Sequence, residues 1–201
     1  EMFLKKINKS VFYILFLIII FFIKNLSASE KNISTKELIA EYLTNITEFS
    51  SEFIQVNNNE LSEGLFYMKD NRIKVKYLNP SKIELIIAEN KAMYFNEDLN
   101  ELEYFNPKNS LAEIFYNVFF EINLFVNTTI QNNNNYIEIE KNIEISDEII
   151  RIKLIFENNP LVIRKIEFIQ SDELTTFSII NPNHNPNLDK KFFSMISPKI
   201  K

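Results

Sequence analysis

The amino-acid sequence predicts one α+β domain in which two or three helices cover one face of a long antiparallel sheet. Three observations support this prediction. Segments such as Arg72–Tyr77 and Ile150–Phe156 alternate between polar and apolar residues, as strands with one solvated face do. Two segments beginning at Ser34 and Ser110 repeat apolar residues at helical spacing. The apolar run Val11–Ile23 lies ahead of all these segments and belongs to a different kind of element.

The first 29 residues have the pattern of a secretory signal. Three lysines precede the apolar run, and the small residues of Leu26–Ser29 follow it, as at a cleavage site. An uncleaved N-terminal anchor is the alternative, although the run is short for a membrane span. We therefore expect residues 1–29 to be a signal peptide and residues 30–201 to form the mature domain. Its 172 residues suffice for one domain with a substantial core.

Two helices are predicted from capping boxes. Ser34–Glu37 and Ser110–Glu113 each place a serine three residues ahead of a glutamate, so that the two side chains can satisfy each other's backbone amides. Apolar residues follow each box at helical spacing. In the first helix they are Leu38, Ile39, Tyr42, Leu43 and Ile46, and in the second they are Leu111, Ile114, Phe115, Val118, Phe119 and Ile122.

The remaining patterned segments predict strands joined by short links. Their alternating or β-branched composition indicates strands at Leu65–Lys69, Arg72–Tyr77, Ile83–Ala88, Ala92–Phe95, Glu101–Phe105, Tyr136–Glu140, Ile149–Glu157, Leu161–Gln170, Leu174–Ile180 and Leu188–Met195. The chain has one glycine, Gly64. Asn runs such as Asn57–Asn59 are therefore interpreted as turns, because asparagine tolerates left-handed backbone angles.

Charge and cysteine content exclude several function classes. Residues 1–29 hold four lysines and one glutamate, so the mature domain keeps 18 basic and 26 acidic residues, a net charge of −8. Such a domain is unsuited to nucleic acid or to non-specific adhesion on anionic lipid surfaces. The chain has no cysteine, so its apolar core must stabilise it without disulfides, and no cysteine is present to carry a lipid anchor.

No catalytic or metal-binding motif is found. His184, the only histidine, lies in a turn-rich loop and is interpreted as an exposed residue. One histidine without cysteine cannot form a His/Cys zinc site, and Gly-x-Ser-x-Gly and glycine-rich phosphate loops are missing. We therefore expect neither an enzyme nor a cofactor. The apolar face is either a filled core or a cavity for an apolar ligand, and the residue types suit both.

The order of several segments resembles the periplasmic outer-membrane lipoprotein carrier (LolA-type) family. A helix leads into Phe49, Phe53 and Gln55, which match the family's F-x-x-x-F-x-Q segment. The strand Gly64–Lys69 begins with glycine, and the next strand ends at Val75–Pro80, with an aromatic residue shortly before the proline. The hairpin Ala88–Phe95 and the segment Asn187–Phe193, which resembles the closing strand, complete the series.

This resemblance implies an incomplete antiparallel β-barrel, a strongly curved sheet, closed by a lid of two or three helices. Alternation and the family pattern together predict an acyl-binding cavity lined by Phe53, Phe66, Met68, Ile73, Val75, Tyr77, Ile152, Leu154 and Phe156. The predicted lid residues are Leu111, Ile114, Phe115, Val118 and Phe119. The family's Arg-Pro pair, whose arginine helps hold the lid, is absent. Lys69 or Asp70 stands there, depending on whether residues are counted from Pro80 or Gly64, and Lys69 is the candidate latch.

The implied function is that of a periplasmic chaperone in a Gram-negative bacterium. It would act as a monomer and carry the acyl chains of lipoproteins from the inner to the outer membrane. Its expected partners are acylated lipoproteins, an inner-membrane ATP-driven extractor and an outer-membrane acceptor, with no metal. A periplasmic sensor or regulator of lipids or lipoproteins on the same fold is the alternative. An esterase or glycosidase is disfavoured because a nucleophile–base pair is missing.

Overall fold

A computed structural model describes residues 34–121, 124, 128–133, 135–145 and 147–196 of the chain. The predicted signal segment, the apolar run and Ile122 lie outside these residues. Ser34–Lys201 forms a compact unit of its own. No helix in the described ranges is long and apolar enough to cross a membrane.

The described residues form two α-helices and eleven strands. The helices are α1 (Thr35–Asn45) and α2 (Leu111–Phe120). The strands are β1 (Glu48–Asn57), β2 (Glu60–Lys69), β3 (Arg72–Asn79), β4 (Ile83–Ala88), β5 (Lys91–Asn96), β6 (Glu101–Phe105), β7 (Thr129–Asn132), β8 (Tyr136–Ile145), β9 (Glu148–Asn158), β10 (Leu161–Gln170) and β11 (Glu173–Asn183). A short 3-10 helix follows at Lys190–Phe193. The short, polar strand β7 was not predicted.

The strands form one antiparallel sheet whose order explains the place of α2. The sheet reads β6-β5-β4-β3-β2-β1-β11-β10-β9-β8-β7, so the first and last strands pair at its centre. The two edge strands, β6 and β7, are the ones that α2 connects along the chain. The helix therefore runs between the two edges of the open sheet. This confirms the predicted α+β incomplete barrel with a helical lid.

One face of the sheet, called here the inner face, carries the main core. Alternation places Phe49 and Phe53 of β1, Phe66 of β2 and Leu154 of β9 on this face, all at most 1% exposed. Ile39 and Leu43 of α1 pack into the same cluster. Leu38 was predicted with them, but it is 41% exposed and lies on the outer side of α1. The strand period is thus the main determinant of which residues are buried.

The capping predictions are confirmed for α1 and corrected in detail for α2. At α1, Ser34 Oγ accepts from the Glu37 amide and Glu37 accepts from the Ser34 amide. At α2, Ser110 Oγ instead accepts from the Ala112 amide, and Glu113 accepts from the amide of Asn109 at 2.7 Å. The glutamate still satisfies a free amide ahead of the helix, one residue earlier than the capping box requires.

Asparagine, aspartate and serine take the turn positions that glycine often occupies. Asn58 and Asn59, in the first Asn run, both have positive φ, as the sequence predicted. Asp70 and Asn71 do the same between β2 and β3, and Asp172 does so between β10 and β11. Gly64 has no positive φ. Its role is therefore spatial, because the backbone there needs no left-handed angle.

The predicted closing strand at Leu188–Met195 is wrong. Residues 188–196 cross the outer face of the sheet as an irregular segment, called here the C-terminal strap, which contains the 3-10 helix. Asp189 caps that helix by accepting from the Lys191 amide at 2.9 Å. Side chains donate to the strap's backbone carbonyls: Lys69 to Leu188, Lys74 to Phe192, Arg72 to Phe193 and Tyr104 to Met195. These bonds satisfy carbonyls that a strand would pair with a neighbouring strand.

Candidate functional site

Helix α2 packs its apolar side against the inner face. Of the predicted lid residues, Ile114, Phe115, Val118 and Phe119 are all at most 9% exposed. The fifth, Leu111, is 43% exposed and points away from the core, which corrects that prediction. The ring of Phe66 in β2 lies 5.8 Å from that of Phe115 and 5.2 Å from that of Phe119, centroid to centroid. The helix and the sheet therefore meet through aromatic rings.

The nine residues predicted to line an acyl cavity all belong to the inner-face cluster or pack against it. Eight are at most 3% exposed: Phe53, Phe66, Met68, Ile73, Val75, Ile152, Leu154 and Phe156. The ninth, Tyr77, is partly buried and packs against the cluster. Its hydroxyl donates to Gln55 Oε1 at 2.8 Å, and burial raises its pKa to about 12. The phenol therefore stays neutral at every physiological pH.

Among the described residues, aromatic side chains of the sheet and of α2 pack against one another in the interior. Phe53 stacks on Phe177 of β11 with centroids 4.5 Å apart, and Phe115 lies 5.1 Å from the same ring. Phe177, which is central to the cluster, was not among the predicted site residues. The alternation within Leu174–Ile180 could have identified it, because Phe177 and Ile179 share the inner parity. Ligand entry therefore requires that α2 move away from these rings.

Two open cavities flank the C-terminal half of α2. One, of about 590 Å³, has apolar and charged residues in its lining, among them Tyr116, Phe120, Leu124, Glu89, Lys108, Glu113 and Glu121. The other, of about 550 Å³, lies between the ends of the two helices and is lined by Leu43, Ile46, Phe119 and Phe120. Asn71, in the turn between β2 and β3, lines both. Residues of α2 line both cavities.

Lys69, the candidate latch, contacts the strap and the neighbouring strand β1 instead of the lid helix. Its ammonium group lies 2.6 Å from Glu48 Oε1 and donates to the Leu188 carbonyl. Neither residue belongs to α2. The prediction that Lys69 latches the lid is therefore corrected: its described bonds hold the C-terminal strap. Contacts of α2 that the structure describes are mainly apolar packing.

His184 is exposed, as predicted, and it also ties the end of β11 to α1. Its Nε2 lies 2.9 Å from the Tyr42 hydroxyl, which accepts from the Ile163 amide at 3.2 Å. The rings of Tyr42 and Phe49 lie edge-on to the imidazole. Desolvation, followed by the charge of Arg164, lowers the pKa of His184 from its ordinary value. A neutral imidazole nitrogen can accept a hydrogen bond from the Tyr42 hydroxyl, which matches this shift.

The lowered pKa of His184 predicts an acid-sensitive contribution to stability. The ordinary pKa is 6.5, and the folded value lies below it. The stability that neutral His184 contributes is therefore fully present above its ordinary pKa. It is lost as the pH falls through the lower pKa of the folded protein. We expect the free energy of unfolding to fall more between about pH 7.5 and about pH 5 in the wild type than in His184→Gln. Urea titrations at both pH values measure this difference, and parallel pH profiles would contradict it.

The described residues provide no group of three or more His, Asp or Glu side chains placed to hold one metal ion. The described site is an apolar interior covered in part by α2, with two openings beside that helix. Such an arrangement binds by excluding water from apolar surface.

Comparisons with known proteins agree with this architecture. A family model described as outer membrane lipoprotein carrier protein LolA matches residues 44–196. No curated protein sequence matches the chain significantly. An uncharacterized conserved protein from Thermus thermophilus superposes with a TM-score of 0.55 at 10% identity, covering 80% of this chain and 93% of the other. MucB gives 0.51 at 10% identity, covering 83% of this chain and 63% of MucB. These two similarities show the fold alone.

Proposed function

The chain belongs to the outer membrane lipoprotein carrier protein LolA family, and on this premise we propose that it is a periplasmic chaperone for lipoproteins. Residues 1–29 direct export, and the mature domain binds acyl chains between the inner face and α2. It receives a lipoprotein from an inner-membrane ATP-driven extractor and delivers it to an outer-membrane acceptor. The observation that carries the proposal is the aromatic inner face, part of which is covered by the short helix that connects the two edge strands along the chain.

In the proposed binding step, an acyl chain replaces α2 as the apolar group that covers the inner face. Burying a large apolar side chain contributes about 1.5–3 kcal/mol, so exposing Ile114, Phe115, Val118 and Phe119 costs roughly 6–12 kcal/mol. An acyl chain of about fifteen methylenes contributes about 12 kcal/mol when buried, at ~0.8 kcal/mol each. The two terms are of similar size. A single acyl chain can therefore replace the helix, and the helix can return when the chain leaves.

This balance suits a carrier, which must release what it binds. Opening and closing need no cofactor, because the free energy comes from apolar burial on both sides of the exchange. The lack of described ionic bonds between Lys69 and α2 fits the same requirement. A lid whose described contacts are mainly apolar responds to an apolar ligand without first breaking a buried ion pair.

Release of lipoproteins from spheroplasts tests the proposal. We expect purified residues 30–201, added to spheroplasts that synthesise an acylated lipoprotein, to bring that lipoprotein into the soluble fraction. A matched sample without the protein should leave it in the membrane. Absence of release at every protein concentration would sink the carrier function. Binding of the lipoprotein without release would favour the sensor or regulator.

Photocrosslinking tests the binding surface separately. A benzophenone amino acid in place of Phe119, buried on α2, should crosslink to the lipoprotein's acyl chains during release. The same amino acid in place of Leu111, exposed on the same helix, is the matched control and should give at least about tenfold less product, because crosslinking requires contact. Equal yields at the two positions would show that acyl chains do not enter beneath α2.

A further inference from the structure

Basic residues form a row across the outer face at one end of the sheet. Lys69 of β2 pairs with Arg72 of β3, and Ala88 of β4 pairs with Lys91 of β5. All four share the outer parity, since their neighbours Met68, Ile73, Ile87 and Ala92 are buried on the inner side. Like charges directly opposite each other in a sheet are destabilising. The repulsion between Lys69 and Arg72 must therefore be offset by negative charge. Glu48 forms an ion pair with Lys69 but not with Arg72.

The C-terminal strap adds two more cations and closes a pocket over this row. The pocket has a volume of about 520 Å³ and is lined by Arg72, Lys91, Lys190, Lys191, Ser194 and Met195. Arg72 donates one bond to the Phe193 carbonyl at 3.2 Å, which fixes its guanidinium at the pocket wall. Tyr104 holds Met195 by its carbonyl and lies under the Lys91 ammonium, 4.6 Å from the ring centroid.

The positive charge of this pocket is largely uncompensated. Lys190 pairs with Asp70 at 3.4 Å, but the two side chains are 82% and 53% exposed, so solvent screens the pair. Arg72, Lys91 and Lys191 form no ion pair with a carboxylate among the described residues. A concentration of cations on a domain with a net charge of −8 indicates a local anion site, since the overall charge opposes non-specific adhesion.

We propose that this basic pocket binds the phosphate group of an anionic lipid headgroup. An arginine with neighbouring lysines is suited to phosphate oxygens, which accept several charge-assisted hydrogen bonds. Met195 lines the pocket and the next residue, Ile196, is 71% exposed, so an apolar lip adjoins the cations. A basic surface beside an exposed apolar side chain matches the boundary between headgroups and acyl chains.

The position of the pocket connects it to the openings beside α2. Three consecutive residues make this connection. Asp70 lines the cavity between the ends of the helices, and Asn71 lines that cavity and the other one beside α2. Arg72 lines the basic pocket. A headgroup held at Arg72 would therefore bring these openings to the membrane surface. The inference goes beyond the proposed function and does not depend on it, because headgroup binding can be measured without a lipoprotein.

Vesicle sedimentation tests this site on residues 30–201, the proposed mature protein. We expect binding to phosphatidylglycerol–phosphatidylcholine vesicles and little to phosphatidylcholine alone. Each basic side chain at an anionic surface contributes roughly fivefold to partitioning, so Lys91→Gln with Lys191→Gln should weaken binding about 25-fold. The control, Lys36→Gln with Lys82→Gln, changes the net charge equally at exposed sites elsewhere. It should keep binding within about threefold, because screening limits distant charges.

Every other outcome overturns the proposal. Equal weakening by both double variants would mean long-range attraction without a site. Inorganic phosphate could instead shift the backbone amide signals of Lys91 and Lys191 in nuclear magnetic resonance spectra while vesicles do not bind. That result would overturn the proposal that the phosphate belongs to a lipid headgroup. Stronger binding of polyglutamate than of vesicles would point to an acidic protein partner instead. Circular dichroism of each variant checks that it is folded.

Discussion

Phe66→Ala is expected to destabilise the domain by about 4 kcal/mol, within the range of 3–5 kcal/mol for removing a buried phenylalanine. Phe66 has no exposed surface, and its ring lies within 6.0 Å of those of Phe49, Phe115, Phe119 and Phe177. These neighbours come from two central strands and the lid helix, so they cannot all move into the space left behind. Urea unfolding of residues 34–201, with an unchanged slope, measures the loss.

The matched control for this prediction is Leu111→Ala on α2. Leu111 is 43% exposed, so its removal should cost no more than about 0.5 kcal/mol. A loss below about 1.5 kcal/mol for Phe66→Ala would contradict a filled interior, because truncating a side chain beside an existing void removes fewer contacts. The experiment therefore distinguishes a packed inner face from one that is already hollow.

Gly64→Ala is expected to destabilise the domain by about 3 kcal/mol or more, at the upper end of the range for overpacked interiors. A Cβ atom at Gly64 would collide with the backbone carbonyl oxygen of Lys76 in β3 and would lie 2.8 Å from Cε1 of Phe53. The ring could turn aside, but the carbonyl belongs to the paired strand. The new methyl group must therefore separate β2 from β3 near the register shift between Glu63 and Gly64.

Ser62→Ala, two residues earlier in β2, is the control for Gly64→Ala. This substitution adds no atom, and Ser62 is only partly buried. The free energy of unfolding should therefore change by no more than about 0.5 kcal/mol. Thermal unfolding followed by circular dichroism compares the two variants. A Gly64→Ala protein that unfolds at the wild-type temperature would show that β3 accommodates the methyl group, and it would remove the spatial reason for a glycine here.

Much of the fold followed from the sequence because the strand period is a local property. In β9, Ile152, Leu154 and Phe156 alternate with residues that are mostly polar, and the structure places all three on the inner face. The helices were predicted equally well, since a cap and an apolar stripe need only neighbouring residues. Leu38 and Leu111 were placed wrongly for one reason: each lies in the first turn of its helix, where periodicity covers too few residues to determine the buried side.

The residues predicted to line a cavity are buried on the inner face or pack against it, and their role in acyl binding stays a prediction. Inward apolar residues are the same types whether they line a cavity or fill it, so only the structure could show that the rings of Phe53, Phe66 and Phe177 pack against one another. The end of the chain was the largest error. Phe192 and Phe193 suggested a strand, but they belong to a strap that Lys74, Arg72 and Tyr104 hold through its carbonyls.

The sequence by itself determined the fold class, the turn positions, the acidic character and the family resemblance, because each depends on residue types and short spacings. Only the tertiary structure decided that β1 pairs with β11, that α2 runs between the two edges of the sheet, and that distant cations meet at the strap. These features depend on residues far apart along the chain. Their contacts are selected by the packing of the whole domain, which no local pattern encodes.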